Sequence, residues 1–369
     1  MSTQRKNFDV IVAGGGLVGL SISIGLRLRG LDVMVLDGGD GDHRASRGNF
    51  GLIWVQTKGH TFRPYAQLSR KAAKMWPEFS SHLKDLSGVD VGLEDKGAFH
   101  FCMSETEWKN RSELMKKQFD GDLPVPGAYE MLERGELDKI IPDLGNSVVG
   151  GCYGRLDGAV NPLAFFRALH SAYAAVGGKY RASSAVTHID TAGTDFNVTA
   201  GKSTYSCGKL LLAAGLGNNH LAPMVGIQMD VRPIRGQVLV TNKMPRSLHY
   251  PTHTIRQMEA GGFILGDSRE DVGLDCGTTP EVISGIARKA IGCFPKLASS
   301  QLLRVWAGLR TFTRDGVPLY LRSSSHPNAY AVNVHSGVTL APVHAQDVAT
   351  AIEEGGLETR FPDFARNRS

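Results

Sequence analysis

Three glycines at fixed spacing are the first residues here whose types and positions suit a chemical task. Gly14, Gly16 and Gly19 stand between an apolar run, Phe8-Asp9-Val10-Ile11-Val12-Ala13, and a stretch of helical character from Leu17 to Arg29. In such a turn the first glycine permits a tight bend. The second lets the backbone approach a pyrophosphate, and the third lets helix and strand pack closely. The helix start at Leu17 and Val18 adds free N–H groups and a favourable dipole for phosphate. A second apolar run, Leu31 to Leu36, ends at Asp37, 23 positions beyond Gly14. A carboxylate there accepts hydrogen bonds from ribose hydroxyls, so strand, glycines, helix, strand and acid in this order point to a dinucleotide. The alternative is a βαβ unit with a tight turn and no ligand. The motif does not separate NAD from FAD.

These residues need a scaffold. The 369 residues suggest two domains at about 100–200 residues each. An apolar share of 42% excludes intrinsic disorder, and a scattered net charge of +5 argues against nucleic acid. Glycine is abundant (44 residues) and clusters at strand ends, as in a chain that brings its backbone close to a ligand. Cys102, Cys152, Cys207, Cys276 and Cys293 form no CxxC pair. That argues against a disulfide framework or a metal site and for a reducing, cytoplasmic setting. Arg5 and Lys6 before the apolar run Val10–Gly25 imitate a secretory signal, but Asp9 and the glycine turn make it strand, turn and helix. No later segment reaches the roughly 20 apolar residues of a membrane span.

Further helices are predicted over Tyr65–Leu86, Glu105–Phe119, Asn161-Pro162 to about Val176, Thr279-Pro280 to Phe294, and 343–354. Strands are predicted over Ala98–Phe101, Lys209–Ala214, 302–307 and 329–334, with several more in 228–267 and a hairpin over Ala185–Ala200. Gly38–Gly59 forms a long loop, a feature usually functional or disordered.

Four segments recur in one family in the same order. They are Ala45-Ser46-Arg47-Gly48-Asn49-Phe50-Gly51, Asp157-Gly158-Ala159-Val160-Asn161-Pro162, Leu211-Leu212-Ala213-Ala214-Gly215, and Trp306-Ala307-Gly308-Leu309-Arg310 continuing through Asp315-Gly316 to His335-Ser336-Gly337-Val338-Thr339-Leu340-Ala341-Pro342. Over nearly its whole length the sequence resembles the D-amino-acid oxidase superfamily of FAD enzymes, which includes glycine and sarcosine oxidases. Its stretch Arg47–Gly59 is similar to that of the B subunits of bacterial opine oxidases. The resemblance implies an α/β fold with a Rossmann-like FAD-binding domain, discontinuous over 1–80, 155–225 and 305–369. It also implies an α+β substrate-binding domain over 81–154 and 226–304, whose mixed sheet covers the flavin.

Carried onto this sequence, the resemblance implies cofactor contacts beyond the glycine turn. Ser46, Arg47, Gly48, Asn49 and Gly51 would pass the pyrophosphate and the flavin ring. Ala214 and Gly215 would end a second contact strand. Gly337, Val338 and Thr339 would set backbone N–H groups near flavin N1 and O2. Arg310 matches the arginine that clamps the substrate carboxylate, a task suited to the bidentate guanidinium, and would also lie against the cofactor. Its rival reading is a buried arginine paired with a protein carboxylate. Tyr250 and Arg256, near His249 and His253, suit a second carboxylate such as opines carry, against a plain exposed strand and loop. His335 holds the place of a recurrent family histidine, which a structural hydrogen bond explains equally well. By the same resemblance Trp54 and Lys58 would flank the flavin. No cysteine or histidine matches the family's covalent-attachment motifs, so FAD is expected to bind non-covalently.

The implied reaction oxidises the C–N bond of an amino acid or opine-type secondary amine. A hydride passes to flavin N5, and the imine hydrolyses to a keto acid and an amine without an essential protein base. With no cysteine cluster for an iron–sulfur centre, electrons are expected to leave through a partner subunit of a hetero-oligomer. The alternatives are a stand-alone oxidase of glycine, D-amino acids or N-methyl amino acids that makes hydrogen peroxide, a non-catalytic nucleotide-binding subunit, and an NAD dehydrogenase. The last is disfavoured because the family segments continue to the C-terminus.

Overall fold

The computed structural model describes residues 7–38, 45–120 and 124–365; Arg5, Lys6 and residues 39–44 of the long loop lie outside them. The first strand, Asn7–Ala13, sits inside a parallel sheet. It pairs with Ser203–Leu212 on one side and Val33–Leu36 on the other. Val10 to Ala13 are buried on both faces, which explains the apolar run there. Val10 and Val12 join a core shared with the helices, while Ile11 and Ala13 join a second core on the opposite face. The sheet continues through Ala329–Asn333 and, beyond Val33–Leu36, through Lys179–Arg181. An antiparallel edge strand, Leu319–Arg322, makes it mixed. The predicted hairpin is present as Val186–Ala192 and Asp195–Ala200, running into Ser203–Leu212.

The helices fall where their end signals place them. Leu17–Leu28 follows the glycine turn. Pro162–Ala175 starts with proline, and the Asn161 side chain accepts from the Leu163 and Ala164 N–H groups. The 25-residue helix Arg63–Ser87 packs on Pro162–Ala175 and runs unbroken through residue 80, with Leu83 still in the first core.

A second layer system lies above the C-terminal ends of the central strands. Its four-stranded sheet has the order Ile255–Gln257, Gly262–Leu265, Val231–Lys243 and Leu302–Thr313, all antiparallel. Three more antiparallel strands, Ala98–Cys102, Gly150–Gly154 and Tyr129–Glu133, join it through a parallel bridge between Phe99 and Thr252. Phe99, Phe101, Phe263 and Phe294 fill the core between them. The strand predicted over 302–307 runs on to Thr313, because Val231–Lys243 pairs along its whole length, with Ile234 opposite Arg310. Gly150–Gly154 was not foreseen as a strand. The pleat survives its glycines because neighbours occupy their side-chain space: a Cβ on Gly150 would lie 2.5 Å from the Trp108 ring.

Candidate active site

The nucleotide end is built mainly from backbone. Gly14 has φ of +111°, and a Cβ there would run into the Ala213 carbonyl. The Gly15 N–H donates to Asp37 Oδ1 (2.9 Å), and the Tyr180 hydroxyl donates to Asp37 Oδ2 (2.8 Å). The Leu17 N–H donates to Ser46 Oγ (3.0 Å), which docks the long loop onto the helix start. A cleft opens here between Gly15, Gly16, Asp37, Ser46, Arg47 and Tyr180. The Arg47 guanidinium lies over the Phe166 ring at 5.9 Å. The glycine spacing singles out Gly14, Gly16 and Gly19 but not Gly15, yet a Cβ on Gly15 would stand 2.6 Å from the Tyr180 ring. Tyr180 carries no signal in the sequence. Only the pairing of Lys179–Arg181 with Val33–Leu36 brings it to Asp37.

The loop then crosses the top of the sheet. Ala45–Gly48 forms one helical turn that presses onto the strand Leu302–Thr313; a Cβ on Gly48 would lie 3.1 Å from the Gly308 Cα. The Asn49 side chain shapes the loop by donating to the Ser46 carbonyl (2.7 Å) and accepting from the Gly51 N–H (2.8 Å). Asp157 holds the next residues from behind, taking the N–H groups of Val55 (2.5 Å) and Gln56 (3.2 Å) on Oδ1. Burial first of all pushes its carboxyl up to about 7, against those hydrogen bonds. Thr339 ties the loop to the C-terminal turn by accepting from the Trp54 N–H (3.0 Å). Gly337 abuts Leu17 and Val18. The N–H groups of Gly337, Val338 and Thr339 find no acceptor among the described residues. The Ala214 N–H is held by Asn218 Oδ1 (2.9 Å), and Gly215 lies against Thr311. Asn218, fully buried, was not singled out in the sequence. Glycine clefts where a Cβ would intrude, an acid at the ribose position and unclaimed N–H groups near the C-terminal turn suit a dinucleotide carrying a ring system.

A charged cleft lies beside this turn. Arg310 donates to Asp267 Oδ2 (2.9 Å), to the Arg235 carbonyl (3.3 Å) and to the Ser268 carbonyl. A Cβ on its neighbour Gly236 would stand 2.5 Å from the guanidinium. Thr311, next in the strand, donates to the Val334 carbonyl (3.2 Å), which brings the strand beside His335. The His335 ring stacks on Phe312 at 4.3 Å, and its Nε2 lies 2.5 Å from Lys58 Nζ. Desolvation, then Arg310 and Arg269, lower the Lys58 ammonium to about 7, while Asp267 opposes them. Desolvation, then Lys58 and the two arginines, hold His335 well below its ordinary value. Arg269 covers the Phe312 ring at 4.8 Å. His253 stands 5.0 Å from the Trp54 ring and 5.1 Å from His100; burial pushes it down to about 4.

Arg310, Lys58 and His335 therefore come together, with Trp54 and His253 next to them. Tyr250 and Arg256 are engaged elsewhere. Tyr250 packs edge-on against Phe99 at 5.3 Å in the aromatic core. Arg256 is 3% exposed and donates to the Phe50 (2.8 Å) and Val160 (2.9 Å) carbonyls, with Glu94 at 3.7 Å. It braces the loop behind Gly51, and His249 is exposed. Asp267 and Arg269 carried no spacing signal, since they enter the cleft only through the turn after Gly262–Leu265.

Fold and cleft define a flavoprotein of the Rossmann-like class, and the chain belongs to the FAD dependent oxidoreductase (DAO) family, whose model matches residues 9–351. It is 40% identical over 362 residues to the opine oxidase B subunit of Agrobacterium tumefaciens (strain Ach5), covering 98% of this chain and 97% of that protein. It is 39% identical over 363 residues to the opine oxidase B subunit of Rhizobium meliloti, with the same shares of 98% and 97%. The glycine oxidase structure from Bacillus cereus ATCC 14579 shares the fold, with a TM-score of 0.88 at 24% identity over 98% of this chain and 99% of that one. The protein is an FAD-dependent oxidoreductase. Among the described residues no helix is long and apolar enough to cross a membrane.

Proposed function

We propose that this protein oxidises the C–N bond of an opine-type secondary amine that carries a carboxylate beside that bond, and that it passes the electrons to a partner subunit. The observation that carries this reading is the charge of the cleft. Arg269 and Arg310 gather around the carboxylate of Asp267, with Lys58 beside them, an arrangement that attracts an anionic substrate. The relatives named as B subunits of opine oxidases supply the substrate class and the partner.

FAD, when bound, supplies the acceptor for the electron pair. The protein's part is placement. Gly14, Gly16, Gly19, Asp37, Ser46, Arg47, Gly48 and Gly51 hold the nucleotide and the ring edge, without a covalent link. Arg310 takes the substrate carboxylate through parallel hydrogen bonds, displacing the half-exposed Asp267. Trp54 and His253 wall the cleft and exclude water. Segments 1–80, 155–225 and 305–369 serve the cofactor, and 81–154 with 226–304 shape the substrate side.

The test is the visible spectrum of the flavin-loaded chain without oxygen, before and after octopine, nopaline, glycine and N-methylglycine. Bleaching by an opine, with slow recovery in air, supports the reading. Bleaching by glycine alone with fast recovery in air replaces it with a stand-alone oxidase.

A further inference from the structure

We propose that Lys58 is the proton acceptor of the reaction: its amine, held against the imidazole of His335, takes a proton from the substrate ammonium. This rests on the reading of the protein as an amine oxidoreductase. Oxidation of the carbon needs the lone pair of the adjacent nitrogen, and an amino acid or opine arrives with that pair protonated. In the step, one N–H bond of the ammonium breaks and its electron pair stays on the substrate nitrogen. The proton forms a new bond to Lys58 Nζ. One positive charge moves from substrate to lysine, and nothing is oxidised or reduced.

The geometry sets Lys58 apart from the lysines that form ion pairs. The ion pairs of Lys71, Lys84, Lys179 and Lys296 are with carboxylates. Lys58 Nζ instead meets the Nε2 of His335 at 2.5 Å, a nitrogen that is itself kept neutral. Titratable and charged groups face it from several sides of the cleft: Arg310 from the strand Leu302–Thr313, Asp267 and Arg269 from the turn after Gly262–Leu265, and the neutral His253 from the segment before Ile255–Gln257. Burial, and then two guanidinium groups against one carboxylate, favour the neutral amine, and the residue sits beside the substrate arginine. A lysine acting as a fixed charge would need the opposite surroundings. His335 is a positioning residue: stacked on Phe312, it fixes the direction of the amine without touching the substrate.

The experiment uses the flavin-loaded chain and two readouts. The first is anaerobic flavin reduction by octopine or N-methylglycine across pH 6–10. Reduction by the native protein should rise with pH and level off above about 7. At pH 7.5, Lys58→Met and Lys58→Arg should both be slower by about 10²- to 10³-fold. Both should recover as the pH approaches the substrate amine's own pKa. The second is ¹³C NMR of reductively dimethylated protein, which should show one lysine titrating near 7 that Lys58→Met removes. An unimpaired Lys58→Arg would make the residue a charge rather than a base and overturn the proposal. So would an unimpaired Lys58→Met, or a Lys58 resonance titrating at the ordinary lysine position. If no amine reduces the native protein, the functional reading falls and takes this proposal with it. If the native protein is reduced and Lys58→Met matches it, only the proposal falls.

Discussion

The nucleotide end and the charged cleft hold their groups by different means. At the nucleotide end a glycine turn, a helix start and one carboxylate are fixed largely by backbone, beside a central strand buried from Val10 to Ala13. In the cleft, Lys58, Asp267, Arg310 and His335 come from four segments as much as 277 positions apart and are held by each other's charges and hydrogen bonds. Backbone geometry cannot be retuned by substitution without loss of the ligand, whereas charges can be exchanged on a standing frame. The nucleotide end is therefore the generic part of the molecule and the cleft the specific one.

The sharpest break of this contrast is Gly14→Val. At φ +111° a side chain meets both backbone strain and the Ala213 carbonyl. The variant should lose about 3 kcal/mol or more and fail to retain flavin on reconstitution; a yellow, folded Gly14→Val protein would erase the distinction. Arg310→Met should do the reverse, keeping an unaltered flavin spectrum while kcat/KM for flavin reduction falls by about 10²-fold, roughly 3 kcal/mol.

Asp157 lies between the two regions and sharpens the comparison through pH. Its carboxyl is raised from 3.8 to about 7, so the folded protein binds that proton more tightly than the unfolded chain does. The stability it contributes is intact below about pH 4 and lost as pH rises through 7. Asp157→Asn should thus match the native protein in thermal melts near pH 3.5 and exceed it at pH 8.5, by roughly 4 kcal/mol. The smallest effect is expected from Tyr180→Phe. It removes one donor to Asp37 and should weaken FAD binding about fivefold, or about 1 kcal/mol, by titration of the apoprotein.

The two regions also differ in how far they can be read without coordinates. Strand, glycine turn, helix and Asp37 are local in sequence, and each carries a signal of its own. Arg310 was legible only through resemblance, because no spacing marks it within the long strand Leu302–Thr313. Arg256 illustrates the opposite failure. An arginine near a predicted pocket suggests a substrate carboxylate, but the fold turns it inward to the Phe50 and Val160 carbonyls and to Glu94. The short strand Lys179–Arg181 follows Gly177-Gly178 with no apolar alternation, so neither it nor Tyr180 stood out.

By itself the sequence determined the parallel sheet, the glycine turn and the helices that flank them, because apolar period, glycine position and end caps act over a few residues. Only the tertiary structure decided which charges meet. It placed Asp267 on Arg310 and His335 on Lys58, and it sent Tyr250 and Arg256 to other work. Those pairings depend on strand order and turn direction across the whole chain, and electrostatics between distant segments leave no period in the sequence to read.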